Sequence, residues 1–200
     1  YCPRCGTPLS CHEVAQGYKD VKERSAVVRF KVKGEDAYIL AWTTTPWTLP
    51  SNVALCVNPD EDYVKVTSKG YTYYMAAALV DTVLGEGAEI LEHYQGKDLE
   101  FKEYEPLFPY AEKRIGNKKA YYVVCDTYVT LTDGTGVVHI APAFGEDDSK
   151  VGHRYDLPFV QLVNEKGEMT EETPWAGTFC KKADMAVLQA LEDKDLLFDA

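Results

Sequence analysis

Residues 25–43, SAVVRFKVKGEDAYILAWT, decide the fold class of this chain. Apolar and polar residues alternate through 25–33, as they do in a half-buried strand, and a second strand-like run occupies 37–43. Between the two runs, Gly-Glu-Asp at 34–36 has the composition of a tight turn. The stretch therefore predicts a β-hairpin.

Short segments of strand length, separated by turns rich in Gly, Pro, Asn and Asp, continue after the hairpin. Strands are predicted at 53–57, 63–67, 71–75, 90–94, 99–101, 121–125, 128–131, 137–141 and 159–163. Helical spacing occurs at 76–84, 146–155 and 182–193, whereas 104–117 has the composition of a loop. Many short strands with few helices predict an α+β domain, built on a mostly antiparallel, barrel-like sheet with peripheral helices.

Length and composition indicate one folded core and a short appendage. The chain has 200 residues, of which 46% are hydrophobic, and this is typical of a globular protein. We expect a Cys-rich leading segment at 1–20 and the main domain at 21–200. The chain begins with Tyr rather than Met, so we interpret it as a fragment of a longer polypeptide. No apolar stretch is long enough for a membrane span, and the six cysteines fit a reducing cytoplasm.

The net charge of -11 restricts the partners that the chain can bind by itself. Proteins that grip a polynucleotide backbone usually carry an excess of basic residues, because neutralising the phosphates releases counterions. We therefore expect that any nucleic acid on which this chain acts is held elsewhere and delivered to it.

The leading segment contains Cys2-Pro3-Arg4-Cys5, a C-x-x-C spacing that supplies half of a zinc knuckle. Tetrahedral zinc needs four ligands, and Cys11 and His12 are the nearest further candidates. Either these two complete a structural zinc site, or ligands outside the fragment do. A zinc-dependent hydrolase that uses Cys2, Cys5 and His12 is a separate hypothesis, but catalytic zinc usually lies in a buried pocket.

Residues 42–52, WTTTPWTLPSN, place three consecutive threonines between two strand-like runs. Such a row of hydroxyls can present donors and acceptors to a small polar ligand. It is equally typical of a proline-locked turn in which threonine side chains cap the backbone. The motif alone leaves both interpretations open.

A second motif, GTGVVHIAPAFGEDD, occupies residues 134–148. His139 interrupts an apolar strand, as a satisfied core histidine or a ligand-binding residue would. The acidic residues 146–148 favour a helix N-terminus, but Asp148 can instead point into a cleft and pair with a cation. The two motifs together offer hydroxyls, an imidazole and a carboxylate without an obvious nucleophile. This combination suits a small zwitterion or an aminoacyl group.

The two motifs together resemble the editing domain, called connective peptide 1, of the isoleucyl-tRNA synthetase family. The first ten residues, YCPRCGTPLS, are similar to that family's zinc-knuckle lead-in, so the resemblance spans essentially the whole chain. It implies a barrel-like hydrolytic domain that removes valine attached in error to the isoleucine tRNA, and also valyl-adenylate. One methylene is worth only about 1–3 kcal/mol in an apolar pocket, a general figure for which this family is itself the usual example. A second, hydrolytic sieve is therefore needed.

The resemblance also implies roles for individual residues. Asp148 corresponds to the carboxylate that binds the α-ammonium group of the substrate. Thr43, Thr44 and Thr45 correspond to the threonines that position the substrate and the hydrolytic water. His139 corresponds to the residue that excludes the larger isoleucyl side chain, as a sieve rather than as a general base.

Three further residues complete the predicted pocket. Trp42 and Trp47 are expected to form walls, and Asn52 a polar group at the edge. Phe144 departs from the family pattern, because some relatives have a histidine there, and a role of that histidine does not transfer.

The resemblance implies partners as well: the valine-bearing 3′ end of the isoleucine tRNA and the rest of a monomeric, cytoplasmic synthetase. No cofactor is expected for editing, and the chain lacks the nucleotide-binding signatures of the synthetic site. The alternative from a different class is a non-catalytic module that binds an amino acid or a peptide terminus.

Overall fold

One curled, half-barrel sheet of nine strands forms the centre of the computed structural model, which describes all 200 residues. The strands are β1 (Ala26–Lys31), β2 (Tyr38–Thr43), β3 (Ala54–Val57), β4 (Asp62–Ser68), β5 (Tyr71–Ala76), β6 (Glu89–Gln95), β7 (Tyr122–Cys125), β8 (Val137–Ile140) and β9 (Leu197–Asp199). Their order across the sheet is β6-β4-β5-β2-β8-β3-β7, and β1 pairs with both β2 and β9. This architecture confirms the predicted α+β class.

Helices are few and lie around the sheet. They are α1 (Cys11–Ala15), α2 (Val80–Leu84), α3 (Glu112–Ile115), α4 (Glu146–Arg154) and α5 (Cys180–Asp193). Three short 3₁₀ helices cover Pro46–Ser51, Ala77–Leu79 and Gly96–Leu99. None of these helices is long and apolar enough to cross a membrane.

Strand β2 pairs with two different strands along one edge, and this arrangement positions the candidate site at the end of β2. The predicted hairpin is present, because β1 pairs antiparallel with all of β2, from Ala26 opposite Thr43 to Lys31 opposite Tyr38. The other edge of β2 is shared, since its first residues pair with β5 and Trp42 pairs with Val138 of β8. Both neighbours are parallel to β2, so the sheet opens between them. The threonine motif begins at this opening.

Two glycines let the start of β8 lie close to its neighbours. Gly134 and Gly136 have φ angles of 72° and 75°, which residues with a side chain rarely adopt. A Cβ atom at Gly134 would lie 2.8 Å from the Cβ of Trp42, and one at Gly136 would lie 2.4 Å from the Cβ of Ala76. Larger residues at these positions would therefore push β8 away from β2 and β5.

The core lies on both faces of the sheet. The larger cluster combines residues of β1, β2, β4 and β5 with one face of α5, where Val187 and Leu191 are fully buried. Their spacing of four residues is that of one helix face. A second cluster packs β3, β7 and β8 against α4 through Val151. Helix α1, in the leading segment, buries no residue, and a capping box between Ser10 and Glu13 begins it.

Three of the predicted strands are wrong. Residues 99–101 lie in a 3₁₀ helix and turn, 128–131 form an irregular loop, and 159–163 contain only a single bridge, from Val163 to Met169. Side chains replace the missing ladder partners. The side-chain amide of Asn58 donates to the Val129 carbonyl at 2.9 Å, and the Ser51 hydroxyl accepts from the Leu162 N–H at 3.3 Å. Val129, Val160 and Leu162 of these segments are buried in the core although the segments do not join the sheet.

Apart from the 3₁₀ helices, three elements were not anticipated by the sequence patterns. Helix α1 lies in the leading segment, helix α3 lies inside the predicted loop 104–117, and β9 adds a short antiparallel partner to β1 near the end of the chain. These elements have three to five residues, so hydrophobic spacing does not repeat often enough within them to identify them.

Candidate active site

A cleft of about 210 Å³ opens where β2 separates from β5 and runs beside β8. The end of β2, the 3₁₀ helix Pro46–Ser51, the strand β8 and the first turn of α4 surround it. Its lining residues are Trp42, Thr43, Thr44, Thr45, Thr48, Val138, His139, Ala141, Phe144, Gly145 and Asp148. The two sequence motifs, which lie about a hundred residues apart, therefore meet in one cavity.

The threonine turn is held by its own hydroxyl groups. The Thr43 hydroxyl accepts a hydrogen bond from the Thr45 N–H at 3.1 Å, and the Thr48 hydroxyl donates to the Thr45 carbonyl at 2.8 Å. The hydroxyls of Thr45 and Thr48 lie 3.1 Å apart. The backbone-capping interpretation is thus correct for Thr43 and Thr48, yet both also line the cleft. Thr44 is exposed at its mouth.

His139 forms a buried, uncharged wall of the cleft. Its Nε2 lies 2.7 Å from the Thr48 hydroxyl, and its Nδ1 lies 3.1 Å from the side-chain nitrogen of Asn52. Burial lowers the pKa of His139 to about 4, so the ring is neutral at pH 7. Both ring nitrogens are occupied by protein partners, which leaves neither of them free to take a proton from a ligand.

Asp148 supplies the only carboxylate of the cleft. It lies in the first turn of α4, and its Oδ2 accepts a hydrogen bond from the Ala141 N–H at 2.9 Å. Burial, and secondarily the charge of Asp147, raises the pKa of Asp148. The nearby ion pairs join Lys150 to Glu146 and Asp147, and no ion pair in the structure includes Asp148. A half-buried carboxylate without a cationic partner favours a positively charged ligand.

The structure brings six of the eight predicted pocket residues to the cleft. Trp42, the three threonines, His139 and Asp148 line it, whereas Trp47 and Asn52 do not. Trp47 packs edge-on against Phe144, with ring centroids 5.2 Å apart, so Phe144 forms the wall expected of Trp47. Asn52 is buried behind His139 rather than at the pocket edge.

Five lining residues were not predicted as site residues: Thr48, Val138, Ala141, Phe144 and Gly145. Among them, Thr48 hydrogen-bonds to His139, and Phe144 packs against Trp47. Thr48 lies inside the quoted threonine motif, three residues after Thr45, and this is the spacing of one turn of a 3₁₀ helix. That spacing is the signal that could have identified it. Phe144 has no such local signal, because its place in the wall depends on a tertiary contact with Trp47.

The cysteines of the leading segment do not form a complete metal site with residues of this chain. The Cys5 thiol lies 3.0 Å from the Thr7 hydroxyl, and His12 Nε2 bonds to Gln16 within α1. No group of three or more potential ligands converges anywhere in the structure. Closure by Cys11 and His12 is therefore not supported, and none of these residues lines the cleft. A zinc ion shared with ligands outside this chain remains a prediction.

The fold is shared with solved editing domains. It superimposes on the editing domain of the P. knowlesi cytosolic leucyl-tRNA synthetase with a TM-score of 0.64, covering 92% of this chain and 99% of that one at 13% identity. The CP1 domain of GlLeuRS gives a TM-score of 0.67 at 12% identity, covering 88% of this chain and 97% of the other. The architecture is thus that of the CP1 editing domains of aminoacyl-tRNA synthetases.

Sequence similarity gives a closer assignment. The isoleucine–tRNA ligase of Clostridium acetobutylicum is 55% identical over 200 residues, and that of Picrophilus torridus is 46% identical over 201 residues. No protein-family model matches the chain. The chain belongs to the isoleucine–tRNA ligase family, which confirms the resemblance found in its motifs. The matches cover 99% and 100% of the chain but only 19% of each of these two relatives.

Proposed function

We propose that this chain is an editing hydrolase that cleaves the ester bond of valine attached in error to the isoleucine tRNA. One observation carries the proposal: the unpaired, half-buried carboxylate of Asp148 shares a cleft with three consecutive threonines. Both halves of an aminoacyl ester then have a partner, since the carboxylate suits the α-ammonium group and the hydroxyls suit the ester and the ribose.

Asp148 is prepared to bind an ammonium group. Its Oδ2 is fixed by the Ala141 N–H, so Oδ1 remains for the ligand. A Cβ atom at Gly145 would lie 3.0 Å from the Asp148 carboxyl carbon, so glycine at this position leaves room for the carboxylate. A charge-assisted hydrogen bond here would hold the aminoacyl group in one register. It also would return the raised pKa of Asp148 toward its usual range, which couples ligand binding to ionisation.

The chemistry that we propose uses no protein nucleophile. Thr48 and His139 have the spacing of a nucleophile–base pair, but the Asn52 amide donates to Nδ1, and this places the ring proton on Nε2. That nitrogen donates to Thr48 and cannot deprotonate it. In this proposal the chain accelerates hydrolysis by holding a water molecule and the terminal ribose hydroxyl beside Thr43 and Thr45, because fixing the reacting groups in position lowers the activation barrier.

Size selection follows from the walls of the cleft. Its volume of about 210 Å³ has room for a small aminoacyl group and a few water molecules. His139 is a rigid wall because both of its ring nitrogens are bonded, and Phe144 closes the apolar side against Trp47. We infer that a valyl side chain fits this space and that an isoleucyl side chain meets the imidazole. Valyl-adenylate carries the same aminoacyl group and is a second substrate under this proposal.

The partners follow from the charge and from the family. A chain with a net charge of -11 does not hold a tRNA through its phosphates, so the rest of a cytoplasmic, monomeric synthetase must deliver the acceptor end. The activation and transfer steps belong to that remaining part. The cleft receives only the terminal aminoacyl nucleotide.

The proposal is tested with Asp148→Asn, which keeps the size of the side chain and removes its charge. Because a hydrogen bond to a charged group contributes about 1.5–3 kcal/mol, we expect deacylation of valyl-tRNA and of valyl-adenosine ester to fall about tenfold to 100-fold. The matched control is Asp147→Asn, on the same turn but exposed and paired only with Lys150, which should keep the wild-type rate.

Three outcomes separate the alternatives. Wild-type rates in Asp148→Asn would remove the carboxylate from the mechanism. Binding of the valyl ester by the unsubstituted chain without turnover would favour the non-catalytic binding module. Activity that EDTA abolishes would favour zinc-dependent hydrolysis.

A further inference from the structure

A continuous chain of buried and partly buried hydrogen bonds joins the cleft to Tyr104, which does not line it. Tyr104 is 2% exposed, and its ring packs edge-on against Phe30 with centroids 5.2 Å apart. The Tyr104 hydroxyl donates to Oδ1 of Asn52. From there the bonds continue through His139 and Thr48 to Thr45. We call this series of five residues the relay.

Two groups determine which atoms donate and which accept at the buried end of the relay. The Asn52 Nδ2 donates to the Ala54 carbonyl at 2.9 Å, and a carbonyl can only accept. The Tyr104 hydroxyl meets the other side of the same amide, at Oδ1. Burial raises the pKa of Tyr104 well above its usual value, so this hydroxyl keeps its proton. The orientation of the Asn52 amide is therefore determined from both sides.

The orientation of the Asn52 amide determines the donor of each remaining hydrogen bond in the relay. The second N–H of Asn52 points at Nδ1 of His139, so the ring carries its proton on Nε2 and donates it to Thr48. The Thr48 hydroxyl uses its single proton on the Thr45 carbonyl. Thr48 can then only accept from the Thr45 hydroxyl, 3.1 Å away. The proton of the Thr45 hydroxyl is thus directed away from the cleft.

We propose that Tyr104 is a positioning residue that keeps the Thr45 hydroxyl a hydrogen-bond acceptor toward the ligand. This proposal rests on the proposed editing function. The lone pairs of Thr45 face the cleft and accept from an O–H group, either the attacking water or the terminal ribose hydroxyl. Thr43, whose oxygen already accepts from the Thr45 N–H, retains a proton that it can donate to a ligand or to the Thr45 hydroxyl, 3.5 Å away. The turn thereby presents Thr45 as an acceptor in a fixed position.

The first test reads the protonation of His139 directly in the unsubstituted chain. With ¹⁵N-labelled histidine, NMR should show a protonated Nε2 and an unprotonated Nδ1 for this ring. The opposite tautomer would overturn the proposal, because the relay would then run in the other direction. This measurement needs no substrate, so it decides the relay even if the unsubstituted chain fails to hydrolyse valyl esters and the proposed function is lost.

The second test removes only the hydroxyl group, with Tyr104→Phe. Asn52 Oδ1 then loses its donor, and we expect a second His139 tautomer to appear in the ¹⁵N spectrum. For valyl-adenosine ester we expect kcat to fall about tenfold, as is typical when an outer partner of a site residue is removed, with KM unchanged. The matched control is Tyr63→Phe, since Tyr63 is also buried and its hydroxyl donates to the Gly136 carbonyl, outside the relay. It should alter neither kcat nor the His139 spectrum.

A double substitution separates the relay from a general loss of stability. Thr48→Val interrupts the same chain next to Thr45, so Tyr104→Phe combined with Thr48→Val should lower kcat no further than Thr48→Val alone. Losses that multiply would overturn the proposal, as would an equal loss of kcat in the Tyr63→Phe control. If Tyr104→Phe fails to fold, Thr48→Val and the wild-type spectrum still decide the matter.

Discussion

At the scale of single residues, the cleft depends on a histidine that is held on both sides. His139 is 7% exposed, and its two nitrogens bond to Thr48 and Asn52. Rotating the ring would break two buried hydrogen bonds, each of which costs about 1–3 kcal/mol to leave unmade. The imidazole is therefore a fixed wall that limits the size of the ligand side chain.

If the cleft selects valine as we propose, His139→Ala should let it accept isoleucine. Removal of the ring enlarges the cavity by more than the methylene that distinguishes the two amino acids. We expect the unsubstituted chain to leave isoleucyl-tRNA intact, and the variant to deacylate it within about tenfold of the valyl-tRNA rate. The rate ratio is the relevant measurement, because the same change also interrupts the relay.

The control for this experiment is His153→Ala, which removes an exposed histidine of α4 outside the cleft. It should leave the ratio of the two rates as it is in the unsubstituted chain. If His139→Ala also leaves that ratio unchanged, another wall sets the size of the pocket, and Phe144 is the next residue to test.

At the scale of secondary-structure elements, the threonine turn is anchored by a distant helix. The 3₁₀ helix Pro46–Ser51 has no cap from its own side chains, and the first available N–H, that of Trp47, donates to Oδ1 of Asp184 at 2.8 Å. Asp184 belongs to α5, whose other face is buried in the main core. The packing of α5 thus fixes where the turn begins, and so where Thr45 lies in the cleft.

Asp184→Ala should loosen this turn. Loss of a side-chain cap costs about 0.5–2 kcal/mol, so we expect the free energy of unfolding in urea to fall by about 1 kcal/mol. Valyl-ester hydrolysis should fall as well, because the threonines no longer hold one position. Asp193→Ala, at the exposed end of the same helix, is the control and should change neither quantity. Full activity in Asp184→Ala would show that the turn is rigid without its anchor.

At the scale of the whole molecule, the pH dependence of folding has two separate windows. The pKa of His139 is about 4 in the folded chain and near 6.5 when exposed, so the unfolded state binds more protons between these values. Stability is therefore lost as the pH falls from 6.5 to 4. Against the raising effect of its partial burial, hydrogen bonds from Lys65 and Tyr74 lower the pKa of Glu35 to about 2. The pKa of Glu172, whose carboxylate accepts two hydrogen bonds from Arg114, is also lowered to about 2. The contribution of both groups to stability is lost only below about pH 4.5.

We expect the free energy of unfolding to fall by about 3 kcal/mol between pH 7 and pH 4 because of His139 alone. Urea titrations at several pH values measure this loss. His139→Gln, which has no titratable group at this position, should lose much less stability over the same interval, and its stability should change in parallel with that of the unsubstituted chain only below about pH 4. Parallel curves for the two proteins over the whole range would assign the acid sensitivity to other groups.

Part of this fold could be predicted from local patterns alone. The β1–β2 hairpin, β4 and α5 follow from alternation or helical spacing over six or more residues, and burial in the structure matches that spacing. The failures at 128–131 and 159–163 are apolar runs whose backbone groups bond to Asn58 and Ser51. Hydrophobic spacing indicates which residues are buried, but it does not indicate which groups form hydrogen bonds with their backbone.

The sequence by itself determined the class of fold and the two motifs, because residue order fixes both strand periodicity and the chemistry of a threonine turn. Only the tertiary structure decided that the motifs share a cleft, that Trp47 and Asn52 lie outside it, and that Tyr104 and Asp184 support it. These two supporting residues are 52 and 137 positions from their partners. Such contacts depend on which strands and helices become neighbours, and that is set by packing of the whole core rather than by any local segment.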